Sequence, residues 1–376
     1  MLPRVRRARI AVAAAVLCVP LLGAVGAARA GLASVVCFSA SNCIAGGDTF
    51  GFAGGPAALM ERWNGRKWLL LPTQRMPWRS SSVNLLSMSC VSPTSCIAVG
   101  HDIAPRNVAY HWNGSRAVVV PMAATQNAVF LGVSCPTATS CLAVGFTVDP
   151  TGSFHIPAAQ RWNGKTWTVT PVPVPPVTSG GLTAVSCVSV SSCVAVGSAN
   201  RDFVSYSWNG ATWSGPVTMP DRTGYQSIHC FTPASCIATG YTAASWNGTS
   251  WSTLPSPVGL STWDGQWIFG LYCTSPTNCI GVGTYQEAYV FYGLAERWNG
   301  TSWTIMPLTQ YPTLPKGGLP TGSYLTDLTG VGCALAMTRC VAVGAAGVDS
   351  VSTYVWPGSG AWTYVAPQMP GPHARH

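Results

Sequence analysis

Fourteen of the 15 cysteines in this 376-residue chain fall into seven close pairs, and that pattern restricts the possible fold more than any other feature. The pairs are Cys37/Cys43, Cys90/Cys96, Cys135/Cys141, Cys187/Cys193, Cys230/Cys236, Cys273/Cys279 and Cys333/Cys340. Six have five residues between them and the last has six, while successive pairs begin 43 to 60 residues apart. A unit of that length, repeated seven times, has the period of propeller blades, in which each unit hides its apolar faces only against its neighbours.

The same residues recur around every pair. Five positions before the first Cys stands an apolar residue: Leu32, Leu85, Phe130, Leu182, Tyr225, Ile268 or Leu328. Three positions before it the residue is small: Ser34, Ser87, Gly132, Ala184, Ser227, Gly270 or Gly330. Innermost propeller strands converge on the axis, where bulky side chains would collide, so this segment reads as the inner strand. After the second Cys a short apolar run ends in Gly47, Gly100, Gly145, Gly197, Gly240, Gly283 or Gly344 and reads as a second, buried strand.

A third strand ends at Trp-Asn-Gly in six repeats (Trp63, Trp112, Trp162, Trp208, Trp246, Trp298), and a fourth opens at Trp68, Trp167, Trp213, Trp251 or Trp303. Asn-Gly favours the left-handed conformations of tight hairpins. Each tryptophan pair is therefore expected to flank a turn and to pack neighbouring blades together. Repeat two has Ala117 for its second Trp, and repeat seven reads Trp356-Pro357-Gly358 with Trp362. The expectation is an all-β, seven-bladed β-propeller over residues 31–367, four antiparallel strands per blade, with a disordered tail at 368–376. The chain enters at a first strand and leaves at a fourth, so no strand is free to complete another blade. Blades one and seven should meet by face packing alone.

A strand ending in glycine, an aromatic followed by a turn, and a strand opening with Trp and closing with Pro resemble the kelch propeller repeat, here from Gly31 to Pro367. Trp-Asn stands where kelch repeats carry an aromatic-acidic pair. The chain is also similar to the cysteine-paired repeats of uncharacterised exported bacterial proteins. Both resemblances imply a propeller, and the exported group implies no activity.

The cysteines could in principle bind zinc or form disulfides. Structural zinc takes close pairs with two to four residues between ligands, often with histidine; here five or six residues intervene and no histidine keeps a fixed offset. A turn between the first two strands would set the thiols opposite one another, about 4.5 to 5.5 Å between Cα atoms, within reach of a disulfide. Seven local disulfides are expected, each worth roughly 2 kcal/mol at most because the loop it closes is short.

At the N-terminus Arg4, Arg6, Arg7 and Arg9 precede an apolar run from Ile10 to Val25 and a small-residue exit, Ala28-Arg29-Ala30. That is the layout of a secretory signal peptide over residues 1–30. The run is shorter than the roughly 20 residues that span a bilayer, and no transmembrane segment is expected. The protein should be secreted, extracellular or envelope-associated, an oxidising setting that suits disulfides. Five of the 20 Lys+Arg leave with the leader, which sets 15 against 11 Asp+Glu, a net charge of +4 in place of +9. With 8% charged residues and no run of Lys or Arg, a nucleic-acid partner is not expected.

Strand alternation places the disulfides and the Asn-Gly turns at one end of the propeller. The other end takes the connections that follow the repeated glycine and those that lead to the next blade. Variable loops on a rigid scaffold are where ligands bind, so the candidate surface comprises Trp78, Arg79, His101, Asp102, His155, Arg201, Asp202, Trp263, Asp264, Trp267, Tyr285, Glu287 and Asp327. No catalytic or metal-binding residue is assigned and no cofactor is expected. The 11 acids are scattered singly, whereas a glycosidase needs two at a set distance. His101, His111, His155 and His229 lie in separate repeats, and no Gly-x-Ser-x-Gly elbow occurs. The reading is a monomeric recognition module for a cell-surface glycan or protein. Its alternatives are an extracellular enzyme acting on a polysaccharide and a structural envelope protein. Clustered acids with raised pKa values at the loop-rich end would favour the enzyme, and an aromatic surface the binding module.

Overall fold

The computed structural model describes residues 31–49, 57–76, 83–102, 106–125, 127–149, 154–174, 179–200, 202–220, 224–255, 265–287, 290–309, 326–334, 337–346 and 350–366. The expected leader and tail lie outside them. Seven four-stranded antiparallel sheets follow one another, each made of consecutive strands. Blade one comprises β1 (Gly31–Ser39), β2 (Asn42–Thr49), β3 (Ala57–Trp63) and β4 (Trp68–Leu70), and blade two β5 (Val83–Ser92), β6 (Ser95–Asp102), β7 (Asn107–Trp112) and β8 (Ala117–Val119). Blade three is β9 (Ala128–Thr137), β10 (Ser140–Val148), β11 (His155–Trp162) and β12 (Trp167–Val169); blade four is β13 (Gly180–Ser189), β14 (Ser192–Ala199), β15 (Asp202–Trp208) and β16 (Trp213–Thr218). Blade five holds β17 (Tyr225–Thr232), β18 (Ser235–Gly240), β19 (Ala243–Trp246) and β20 (Trp251–Leu254), and blade six β21 (Gln266–Ser275), β22 (Asn278–Glu287), β23 (Val290–Trp298) and β24 (Trp303–Ile305). Blade seven is β25 (Asp327–Cys333), β26 (Cys340–Ala346), β27 (Ser350–Trp356) and β28 (Thr363–Tyr364).

Every inner strand carries the same irregularity. Its register slips by one, so that Ala33, Leu86, Leu131, Thr183, Gln226, Phe269 and Thr329 each oppose no residue of the second strand. Such a bulge sharpens the local twist. Beside it the two backbones come so close that a Cβ on the repeated glycine would sit 1.7 to 2.1 Å from a carbonyl oxygen of the inner strand. No other residue fits there, which is why glycine recurs at this position in all seven blades, and in six of them the second strand runs on beyond it. The bulged residues also line an axial cavity of about 180 Å³ to which all seven inner strands contribute.

The small position has a different cause from the one expected. A Cβ on Gly132 would lie 3.0 Å from the Cα of Ala184, one on Gly270 3.0 Å from Gly330, and one on Gly330 2.9 Å from Ser34. Adjacent inner strands touch there edge to edge. The limit on size is set by the next blade, not by a collision on the axis.

The core is divided into seven clusters, and each is shared by two adjacent blades. Leu32, Val35 and Trp63 of blade one, for example, pack with Val341, Val343 and Val355 of blade seven. That closes the ring without an exchanged strand. Face packing is not the whole of the seam, however, because Thr329 Oγ1 donates to Leu32 O at 2.8 Å. Within the ring Thr183 Oγ1 donates to Tyr225 O at the same distance.

Seven disulfides cross from inner to second strand, one per blade: Cys37–Cys43, Cys90–Cys96, Cys135–Cys141, Cys187–Cys193, Cys230–Cys236, Cys273–Cys279 and Cys333–Cys340. The pairing is the one expected, but the geometry is not. The Cα atoms stand 3.9 to 4.0 Å apart, closer than the 4.5 to 5.5 Å of ladder geometry alone, because each pair sits beside the tight turn that joins the two strands. The two cysteines of a pair also differ in setting. The second one, Cys43, Cys96, Cys141, Cys193, Cys236, Cys279 or Cys340, is at most 3% exposed and lies opposite the first tryptophan of its blade in the next ladder, as Cys43 does with Trp63 and Cys279 with Trp298. These sulfurs are therefore part of the core. They brace the blade from inside and offer nothing to a ligand.

A serine before the first Cys accepts from the backbone of the next blade in three successive steps: Cys135 N to Ser89 Oγ, Cys187 N to Ser134 Oγ and Cys230 N to Ser186 Oγ, at 2.9 to 3.0 Å. Blade five breaks the series with His229, whose ring lies 5.0 Å from Phe231 and 6.2 Å from Tyr272. Burial pushes its pKa down to about 4.

The tryptophans flank the outer turns as expected, with ring centroids 5.4 to 6.2 Å apart in six blades. In five blades the first Trp also donates its indole N–H to the turn that carries the disulfide, as Trp63 does to Ala40 O and Trp298 to Pro276 O. The Asn-Gly turns work differently from expectation. Only the glycine is left-handed, with φ of 91° to 99° in the six repeats. The asparagine acts through its side chain, whose Oδ1 accepts from the next two free backbone N–H groups, as in Asn64 with Arg66 and Lys67.

Candidate functional site

At the end opposite the disulfides lie the first residues of each inner strand and the residues that follow the repeated glycine. Among the described residues this end divides into two halves of different chemistry.

Blades four to six present aromatic rings. Trp267 on β21 sits between Tyr241 of blade five, 5.9 Å away and edge-on, and Phe291 on β23 at 6.2 Å. Tyr285 on β22 and its ladder partner Tyr292 stack at 5.2 Å. Tyr241 is 38% exposed, and the other four rings are half-buried. In blade four Phe203 lies edge-on to Tyr225 at 6.3 Å. Blade three adds Phe146, stacked on His155 at 4.4 Å.

Blades one and two present polar groups. Asp102 is fully buried, and both its carboxylate oxygens bind Arg106: the backbone N at 2.9 Å and Nε at 2.8 Å. This ion pair pins Arg106 to the end of β6, leaving the carboxylate out of solvent. His101 turns its Nδ1 onto Asp102 O at 2.8 Å. Asp48, the residue after Gly47, has a buried Oδ1 that no hydrogen-bond donor reaches. Burial therefore pushes its pKa up to about 7.

Of the residues named from sequence, Trp78, Arg79, Arg201, Trp263 and Asp264 lie outside the described residues, as does the side chain of Glu287. Trp267 is the second residue of a strand and not part of a connection, because the close approach at Gly283 lets the ladder run on through Trp267↔Thr284 and Gln266↔Tyr285. Tyr285 and Glu287 are likewise strand residues of β22. Asp202 is exposed at the start of β15, and Asp327 is half-buried at the start of β25. The structure brings Trp267 and Tyr285 onto one blade and sets His101 and Asp102 on another.

Tyr241, Phe291, Tyr292, Phe203 and Asp48 were not singled out in the sequence. A signal for two of them was present, since Tyr241 and Asp48 each follow the repeated glycine and so stand at the loop-rich end. Among the described residues no three His, Cys, Asp or Glu side chains gather into a metal site.

No protein-family model and no curated protein matches the chain. Solved structures do. YCF48 bound to D1 peptide superposes with a TM-score of 0.53 at 12% identity, over 85% of this chain and 91% of the other. The GH74 xyloglucanase from Xanthomonas campestris gives 0.61 at 10% identity, over 90% of this chain and 55% of that one. The WD40 β-propeller domain of Doa1 gives 0.54 at 11% identity, over 84% and 90%. At these identities the similarity is one of fold.

Proposed function

We propose that this protein is an exported, non-catalytic recognition module that engages an extracellular glycan or protein through the loop-rich end of its propeller. Export rests on the leader at residues 1–30 and suits a chain with a disulfide in every blade. The observation that carries recognition is the cluster around Trp267. Tyr241 and Phe291 hold their rings against Trp267, so the three offer apolar area that is already ordered before a ligand arrives, while Tyr285 and Tyr292 stack on each other on the opposite face of the sheet. The fold supports the reading without deciding it, since one similar propeller is bound to a peptide and another belongs to a xyloglucanase.

The test is binding of the oxidised mature protein to an array of bacterial and plant glycans and to extracellular proteins, with Trp267→Ala alongside. Binding that the variant loses supports the assignment. Binding that it keeps in full overturns it.

A second reading has one observation in its favour. A carboxyl held near pH 7 by burial, as Asp48 is, suits a general acid in glycoside hydrolysis, although that chemistry needs a second carboxylate at a set distance. Release of reducing ends from a polysaccharide, abolished by Asp48→Asn, would replace the binding assignment with an enzymatic one.

A further inference from the structure

We infer that the disulfide end of the propeller docks on a bilayer surface of anionic phospholipid headgroups. This end is opposite the rings around Trp267, so the inference goes beyond the recognition reading and does not depend on it. Its basis is an unequal division of charge between the two ends. The turns that join first to second and third to fourth strands, together with the residue before each first tryptophan, hold eight of the 15 Lys and Arg outside residues 1–30. They hold none of the 11 Asp and Glu.

Four of these cations, Arg66, Lys67, Arg116 and Lys165, stand exposed in the Asn-Gly turns of blades one to three. Three more precede a first tryptophan and are anchored at this end. Arg62 Nε donates to Asn42 Oδ1 at 3.0 Å, Arg297 Nη2 to Asn278 Oδ1 at 3.2 Å, and Arg161 Nη1 to Gly210 O, in the outer turn of blade four, at 3.4 Å. Arg339, between β25 and β26, is the eighth. Glu61 and Glu296 are fully buried in third strands, while Asp48, Asp102, Asp149, Asp202 and Asp327 stand at the loop-rich end. The repeat does not require the charges. Where blade one has Arg66-Lys67, blades four, five and six have Ala211-Thr212, Thr249-Ser250 and Thr301-Ser302, in turns held by the same asparagine contacts. The eight cations instead belong to five consecutive blades, six, seven, one, two and three, which are neighbours because the ring closes between seven and one.

Ladder register sets the cations at one height. In all seven blades the second Cys lies opposite the first tryptophan, and in six that tryptophan lies opposite the residue that opens the fourth strand. The outer turns therefore leave every sheet at the same rung, and this end is level. A flexible polyanion could reach cations at any height, whereas a flat bilayer meets many of them at once only if they are level. The tryptophans beside the turns are at most 8% exposed, so none is available to insert among lipid tails. Adsorption is thus electrostatic, and each cation near an anionic surface contributes about fivefold in affinity. Docked this way, the propeller turns its loop-rich end away from the membrane, toward a ligand.

The experiment sediments the oxidised mature protein with vesicles of phosphatidylcholine alone and with vesicles in which about one lipid in three is phosphatidylglycerol. Beside it run the Arg66→Gln/Lys67→Gln double variant, Arg116→Gln and Thr212→Gln. Asn64 holds its turn through the backbone N–H groups of residues 66 and 67, so glutamine there leaves the fold intact; unchanged unfolding midpoints check this. Binding is expected only to the anionic vesicles. It should weaken as salt shortens the screening length from about 30 Å at 0.01 M to about 8 Å at 0.15 M. The double variant should bind about 25-fold more weakly and Arg116→Gln about fivefold more weakly. Thr212→Gln, in the cation-free turn of blade four, should bind as the parent does. Equal binding to both kinds of vesicle, no binding to the anionic ones, or a double variant that keeps full affinity would each overturn the inference. Tighter binding to a soluble polyanion, dextran sulfate or double-stranded DNA, than to the vesicles would also overturn it and assign this end to a polymer.

Discussion

Thr329 of the last blade donates its hydroxyl to the carbonyl of Leu32 in the first, 2.8 Å away, and so joins two residues 297 positions apart in the chain. Thr183 makes the same bond to Tyr225 between blades four and five. The seam where the ring closes is therefore built like an internal blade boundary. Replacing either threonine by valine leaves a buried carbonyl without that donor and should cost about 1 kcal/mol. Urea unfolding of Thr329→Val and Thr183→Val is expected to show similar losses. A large loss at Thr329 with none at Thr183 would show that the seam has a construction of its own.

The neighbouring glycines of blade one should respond in opposite ways to alanine. A Cβ on Gly46 meets nothing closer than Met88 Sδ at 3.5 Å, an ordinary contact, while one on Gly47 would lie 2.0 Å from Gly31 O and 2.7 Å from the Cα of Leu32. Gly46→Ala is expected to be neutral within about 0.5 kcal/mol. Gly47→Ala has only backbone to displace and should exceed the roughly 1–3 kcal/mol of ordinary overpacking. Unfolding midpoints of the two single variants decide it, and equal effects would contradict the close approach of β1 and β2.

Two buried groups give stability opposite dependences on pH. Asp48 has its folded pKa raised to about 7 from 3.8, so the native state binds more protons between these values and stability falls as pH rises through that window. His229 has its folded pKa lowered to about 4 from 6.5, so its contribution is complete above 6.5 and is lost as pH falls toward 4. Between about 4 and 6.5 the two slopes cancel in part. Asp48→Asn should gain stability relative to the parent protein as pH rises to 7, and His229→Ser should gain as pH falls to about 5. Guanidinium unfolding across this range measures both, and parallel pH profiles for parent and variants would refute the assigned pKa directions.

A single disulfide should be dispensable. Cys187 and Cys193 close a loop of seven residues, worth about 2 kcal/mol in the chain-entropy model. The sheet of blade four and its packing on both neighbours remain without the bond. The double serine variant is expected to fold with its midpoint lowered by that amount. Complete loss of folding would mean that the disulfide is needed to form the blade and does more than stabilise it.

Much of the scaffold could be read from sequence because each blade is a local object. The cysteine pairs, the repeated glycine and the two tryptophans lie within one blade-length of one another, and strand alternation alone assigns each to an end. Even so, local reasoning found the right positions at times for the wrong cause. Gly132 and Gly330 are small because a strand some 50 residues distant, or at the other terminus, touches them, and the asparagines serve through their side chains. The candidate site was less legible. Trp267 was recognisable as an aromatic outside the repeat, but its neighbours Tyr241 and Phe291 come from a different blade and a different strand. Phe203 lies edge-on to Tyr225 of the next blade. Sequence by itself determined the number of blades, their strands, the disulfide pairing and which end carries the variable residues, since these follow from short-range periodicity. Tertiary structure alone decided which rings meet, that Asp102 is engaged by Arg106, and that Asp48 loses its water, because contact between blades and burial arise only when the ring is closed.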